Sequence, residues 1–98
     1  FFFFKVETPR IEIHTSQDDK NIYCEVKDNG GGIEEKYINR IFEPYFTTKQ
    51  HQGTGIGLYI SKEIIQKHMQ GTLDAKNIKN GASFIICLPI QKDENANN

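Results

Sequence analysis

Three short stretches hold residues whose types and spacing could do chemistry. The run Gly53-Thr54-Gly55-Ile56-Gly57-Leu58 sets three glycines at alternate positions just ahead of an apolar pattern with helical spacing. Glycine permits positive φ and lets a ligand come close where a Cβ would block it. A helix start exposes unpaired N–H groups and carries partial positive charge, so such a run is an anion site, most often for phosphate. It departs from G-x-x-x-x-G-K-[ST], since no Lys-Ser or Lys-Thr follows. It departs from G-x-G-x-x-G too, because its third glycine comes too soon.

The second stretch is Asp28-Asn29-Gly30-Gly31-Gly32-Ile33. A carboxylate at a strand end can accept a hydrogen bond from a ligand amino group, and Gly30 and Gly32 would let a flat ligand lie against the backbone. Read alone, the same residues equally make an Asx-type glycine turn. The third is the polar segment before the glycine run. There Lys49 could neutralise a phosphate or simply be solvated, and Thr47 and Thr48 could contact a ligand or form turns. His14, His51 and His68 share no metal-binding spacing and have no visible orienting partner. There is no Ser/His/Asp arrangement and no Cys/His zinc pattern. No residue is therefore assigned as catalytic or as a metal ligand.

The elements that must position these residues follow from periodicity. Ile11 and Ile13 alternate with polar residues in a strand opened by Pro9. After the polar turn Gln17–Asn21, Ile22, Cys24 and Val26 alternate again, which predicts an antiparallel hairpin. Glu34 to Ile41 is predicted as a short helix ended by Pro44. Glu43 to Gly53 is aperiodic and reads as a loop of the lid kind. From Ile56 the spacing is helical, with Ile56, Tyr59 (or Ile60) and Ile64 on the inner face and Lys62, Glu63, Gln66 and Lys67 on the other. Gly71 is expected at the C′ position. Thr72–Ala75 reads as a short strand, Asn80-Gly81 as a hairpin turn, and Ser83–Ile90 as a central strand ending at Pro89. Gln91–Asn98 is polar and expected to fray. The order predicts an α+β fold: a two-layer sandwich with a mixed, mostly antiparallel sheet and helices on one face.

Composition bounds the partners. The chain has 98 residues, the size of one domain, with 12 basic and 13 acidic residues and a net charge of −1, so nothing favours nucleic acid. No apolar run approaches the roughly 18 residues that cross a membrane. Cys24 and Cys87 sit in separate strand-like runs and read as reduced thiols, which suits a cytoplasmic setting. Phe1–Phe4 reads as the end of an element cut short, with a cloning feature or a partner contact as alternatives.

The stretches gain meaning from their order. Asp28–Ile33 resembles the first glycine box of the histidine-kinase ATP-binding domain. Ile41-Phe42-Glu43-Pro44-Tyr45-Phe46-Thr47-Thr48-Lys49 resembles its phenylalanine box, and Gly53–Leu58 its second glycine box. Gly81-Ala82-Ser83-Phe84 with Leu88-Pro89 is similar to the family's closing strand. The resemblance covers about residues 10 to 90, and three boxes in order are highly specific. It implies the Bergerat-type ATP fold shared with type II topoisomerases, mismatch-repair ATPases and the large heat-shock chaperones. Carried over, it implies that Asp28 binds the adenine amino group and that Gly30 and Gly32, with Ile33 closing the box, shape the adenine pocket. Glu43–Gln52 would be the ATP lid, with Lys49 as a lid contact. Gly53, Gly55 and Gly57, with the N–H groups of Thr54, Ile56 and Leu58, would hold the phosphates.

Two departures bear on function. The family places an asparagine that coordinates phosphate-bound Mg²⁺ on a helix ahead of the first strand, and residues 1–98 contain no such helix. Related ATPases also often carry a threonine where Ala82 stands, and Ser83 is expected to face the other side of the sheet. Mg²⁺ prefers an octahedral oxygen shell and neutralises phosphate charge, so this chain by itself is expected to bind Mg-ATP weakly and to transfer nothing. The resemblance implies that residues 1–98 are the C-terminal part of the catalytic domain of a two-component sensor histidine kinase. In the parent, ATP and Mg²⁺ would serve phosphoryl transfer to a histidine on a helical dimerisation domain, and a response regulator would take the group on. The parent would be cytoplasmic or anchored in the inner membrane, and the exposed phenylalanines could drive self-association. A non-catalytic nucleotide- or protein-binding module of the same fold is the alternative. An ATPase of the chaperone or topoisomerase branch is a third reading, which the short lid disfavours.

Overall fold

The computed structural model of the chain describes residues 8–47 and 55–90. The predicted hairpin is present, with β1 (Ile11–Gln17) antiparallel to β2 (Asn21–Asp28). Asp18 closes its turn by accepting the N–H groups of Lys20 at 2.8 Å and Asn21 at 2.7 Å and the Tyr23 hydroxyl at 3.0 Å. These bonds, that of Lys20 foremost, hold the Asp18 carboxyl below its ordinary value.

The second hairpin pairs β3 (Thr72–Ile78) with β4 (Gly81–Pro89). Here β3 runs three residues past the expected Ala75. The turn is Lys79-Asn80, with Asn80 at φ 63, and Gly81 is already the first residue of β4. The strand order is β1-β2-β4-β3, and among the described residues the mostly antiparallel sheet expected is antiparallel throughout, with no parallel pair. The register sets Ile13, Val26, Phe84 and Ala75 in one row across the four strands. Side chains alternate along each strand, so Asp28, Ala82 and Asn77 share that apolar face.

That face carries α1 (Gly57–Glu63), which continues as a π-helical turn over Ile64–His68. The two-layer α+β arrangement is as expected, but the inward stripe is not. Ile60 and Ile64 are each 46% exposed, whereas Ile65 is buried and Leu58 packs against the core. Both 56/60/64 and 58/65 are apolar at helical spacing, and periodicity alone does not separate them. Leu58 decides it by meeting the cluster of Ile33, Ile41 and Ala82. Lys62 lies on the core side rather than the solvent face, with its ammonium 4.5 Å from the centre of the Phe42 ring. Past the π turn the left-handed residue is Gln70 at φ 53, not Gly71. A Cβ on Gly71 would fall on the Cys87 carbonyl oxygen, so closeness to β4 is what requires glycine there.

The helix expected over Glu34–Ile41 is instead a chain of turns. Tyr37, Arg40 and Glu43 donate to carbonyls three residues back, those of Glu34, Tyr37 and Arg40, at 2.8, 2.8 and 3.0 Å. Four-residue helical bonds never propagate because the segment is short, a helix nucleus is costly, and Pro44 blocks extension. Ile33 and Ile41 are nonetheless buried, with Tyr37, Ile38, Phe42 and Phe46 around them, so packing rather than helix propensity fixes this segment.

Candidate functional site

Asp28 ends β2 on the helix-bearing face. Its Oδ1 accepts the Gly30 N–H at 2.9 Å and the Ala82 N–H at 3.4 Å. Oδ2 has no partner among the described residues. The carboxylate therefore makes the Asx turn with one oxygen and leaves the other without a partner among the described residues. At position 82, where related ATPases often carry a threonine, it is the main-chain N–H of Ala82 that reaches Asp28, at 3.4 Å. Ser83 points to the other face as expected, donating to Glu25 Oε2 at 2.6 Å. That bond, with Lys27, Lys76 and His14 nearby, holds the Glu25 carboxyl below its ordinary value.

The glycine turn is fixed from three sides. Gly31 donates to the Asn80 carbonyl at 3.0 Å, bringing the β3–β4 turn against it. A Cβ on Gly81 would fall on the Asp28 carbonyl oxygen, so only glycine lets the strand ends meet this closely. Gly32 adopts φ 84, and a Cβ there would stand 2.9 Å from Asn77 Oδ1 and 3.0 Å from the Gly81 carbonyl. The Ile33 side chain goes into the core. Its main chain is gripped by Asn77, whose Oδ1 accepts the Ile33 N–H at 2.7 Å and whose Nδ2 donates to the Ile33 carbonyl at 2.6 Å. Asn77 was not foreseen as a site residue. Its signal lay in the alternation: after Leu73 and Ala75, position 77 faces the core, where an asparagine is out of place unless it has partners.

The segment from Tyr37 to Phe46 is built on aromatic rings. Phe42 meets Phe84 edge-on with centroids 6.4 Å apart, and Tyr37 meets Phe46 at 5.4 Å. The Arg40 guanidinium lies 4.5 Å from the Phe46 ring centre and pairs with Glu43 at 3.3 Å. Beyond it, the Tyr45 N–H donates to the Gly55 carbonyl at 2.8 Å, with both residues at positive φ (65 and 73). This bond draws together the two ends of the intervening loop, much of which lies outside the described residues. Ile56 precedes the first turn of α1, and no side chain caps its N–H groups. Leu58 then anchors the helix start to the same cluster as Ile33 and Ala82.

The structure thus gathers Asp28, Gly30, Gly32 and Ile33 at one end of the apolar face, with Gly55, Ile56, Gly57 and Leu58 tied to them through the core. Lys49, Gly53 and Thr54 lie outside the described residues, as do Thr48 and His51. Among the described residues no group of three or more His, Cys, Asp or Glu stands where it could hold a metal ion. Nor is any helix there long and apolar enough to cross a membrane.

A family model described as histidine kinase-, DNA gyrase B-, and HSP90-like ATPase matches residues 4–92. The two-component sensor PprA of Pseudomonas aeruginosa is 43% identical over 82 residues, covering 83% of this chain and 9% of that protein. Sporulation kinase A of Bacillus subtilis is 40% identical over 80 residues, covering 81% and 13%. Among solved structures, a nucleotide-free catalytic domain of histidine kinase ThkA superposes with a TM-score of 0.75 at 35% identity. It covers 85% of this chain and 54% of that one. The chain thus spans about half of that kinase domain and a small share of these curated relatives.

Proposed function

The chain belongs to the histidine kinase-, DNA gyrase B- and HSP90-like ATPase family, as an ATP-binding catalytic domain of the histidine-kinase kind, and from that premise we propose a role for each part of it. Residues 1–98 form the C-terminal part of the catalytic domain of a two-component sensor kinase. The parent passes the γ-phosphoryl group of ATP to a histidine, and a response regulator receives it from there.

The observation that carries this reading is the Asp28 carboxylate, with one oxygen committed to the Gly30 and Ala82 N–H groups and the other unengaged among the described residues. The free oxygen accepts the adenine 6-amino group, and a guanine carbonyl at the same place would meet it with repulsion. Gly30 and Gly32 give the purine its close approach to the main chain. Gly53, Gly55 and Gly57, with the N–H groups of Thr54, Ile56 and Leu58, are assigned to the phosphates, and Lys49 to supply a cation, by the order of the sequence motifs. ATP supplies the phosphoryl group. This chain's residues orient the nucleotide by its base at one end and its phosphates at the other. Among the described residues no cluster of His, Cys, Asp or Glu could hold a metal ion, and Mg²⁺ bound to the ATP phosphates would neutralise part of their charge.

The test uses the full-length protein and γ-labelled ATP. An acid-labile phosphohistidine is expected, and Asp28→Ala should cut its rate of formation by about 10²-fold at low ATP. Label incorporation indifferent to Asp28→Ala would contradict the reading. ATP binding without any transfer would favour the non-catalytic module instead.

A further inference from the structure

We infer that Asn77 is a positioning residue for the nucleotide site: its carboxamide clamps the glycine turn at Ile33 onto β3 and thereby sets where the main chain of Gly30–Gly32 stands. The inference rests on the ATP-binding reading above.

The carboxamide is used completely in one direction. Oδ1 accepts the Ile33 N–H at 2.7 Å, while Nδ2 donates to the Ile33 carbonyl at 2.6 Å and to Glu35 Oε1 at 3.0 Å. Asn77 thus pairs with Ile33 as a neighbouring strand residue would, across 44 positions of sequence. The third bond fixes which end of the carboxamide faces which group, because Glu35 takes only a donor. The turn needs such a hold. Gly31 and Gly32 sit at φ 96 and 84, in a region that glycine enters and leaves freely. Apart from Asn77, the main-chain groups of the turn's glycines are held among the described residues by the Gly30 N–H on Asp28 and the Gly31 N–H on the Asn80 carbonyl.

Position matters as much as bonding. Asn77 faces Ala82 across the β3–β4 ladder, and Ala82 in turn donates to Asp28. One short row of residues therefore fixes both the acceptor for the purine and the main chain beside it. The 2.9 Å approach that a Gly32 Cβ would make to Asn77 Oδ1 shows that the clamp and the glycine fit each other. The opposite end of β3 follows directly on the helix end, where the Gly71 N–H donates to the Ile65 carbonyl at 2.8 Å. The clamp at Ile33 thus acts at the end of β3 remote from the helix.

The full-length protein and its variants are compared by amide hydrogen exchange without nucleotide, and by affinity for ATP and for inorganic tripolyphosphate. Asn77→Ala is expected to speed exchange at Ile33 and to weaken ATP by about 10-fold, with tripolyphosphate unchanged within about 2-fold. Asn77→Asp keeps the acceptor but sets two carboxylates together. Adding Glu35→Gln restores a donor on the other partner and is expected to recover part of the lost ATP affinity. A merely structural role would lower the melting temperature but leave the ratio of ATP to tripolyphosphate affinity unchanged and give no rescue, and that result overturns the inference. The Asn77→Asp pair serves if Asn77→Ala does not fold. If the unsubstituted protein binds no ATP, the proposed function falls, and the Ile33 exchange alone decides whether the clamp exists.

Discussion

Over β3 and β4 the apolar face is covered. Leu73 and Ala82 are buried, and turns, helix and glycine loop all lean on them. Over β1 the same face is bare among the described residues, with Ile11 59% and Ile13 65% exposed. The two edges even use the same device differently. Asn77 pairs with Ile33 inside the fold. Asn29 makes a comparable pair of bonds at the surface, accepting the Arg10 N–H and donating to the Thr8 carbonyl, both at 2.8 Å. The same carboxamide chemistry holds the glycine turn in one place and pins a strand start in the other. The contrast teaches that, among the described residues, packing is concentrated around the glycine turn and β3–β4 rather than over β1. Substitutions should separate accordingly.

Gly81→Ala should have the largest effect. The added methyl falls on the Asp28 main chain, where no flexible side chain can yield, and a loss of about 3 kcal/mol is expected in urea unfolding. A neutral result would mean that the strand ends are looser than described. Leu73→Ala should follow, at about 2.5 kcal/mol for a buried leucine. Ile13→Thr, on the bare face, should stay within about 0.5 kcal/mol. A cost like that of Leu73→Ala would show that the β1 face is covered in solution and would erase the contrast.

The polar face gives a pH-dependent version of the comparison. Glu25 ionises below its ordinary 4.5 because Ser83 donates to it. A lowered folded-state value means that this stabilisation is complete above 4.5 and is lost as pH falls through the lower folded value. Ser83→Ala should therefore flatten the fall in stability on acidification below 4.5, read as urea midpoints over pH. Unchanged steepness would mean that Ser83 does not set the Glu25 carboxyl.

Much of this was legible beforehand where a strong local signal agreed with the packing. Alternation gave both strands of the first hairpin, and the carboxylate-glycine and glycine-helix patterns marked the turn and the helix start at which the site is proposed. The inward stripe of α1 was not legible, because apolar residues occupy two stripes and only the cluster around Ile33 chooses between them. The segment Glu34–Ile41 has helical composition, but it is too short to nucleate a helix before Pro44. Asn77 lies past the strand expected over Thr72–Ala75 and beside the Asn80-Gly81 turn. Its partner is 44 residues away, a distance that local propensity does not span.

The central claim is that Asp28 reads the purine, and nucleotide selectivity tests it most directly. Titrations of ATP, GTP and tripolyphosphate into the full-length protein should show ATP preferred over GTP by about 10-fold or more. In Asp28→Ala that preference should vanish while tripolyphosphate binds as before. An ATP preference that survives Asp28→Ala would contradict the account.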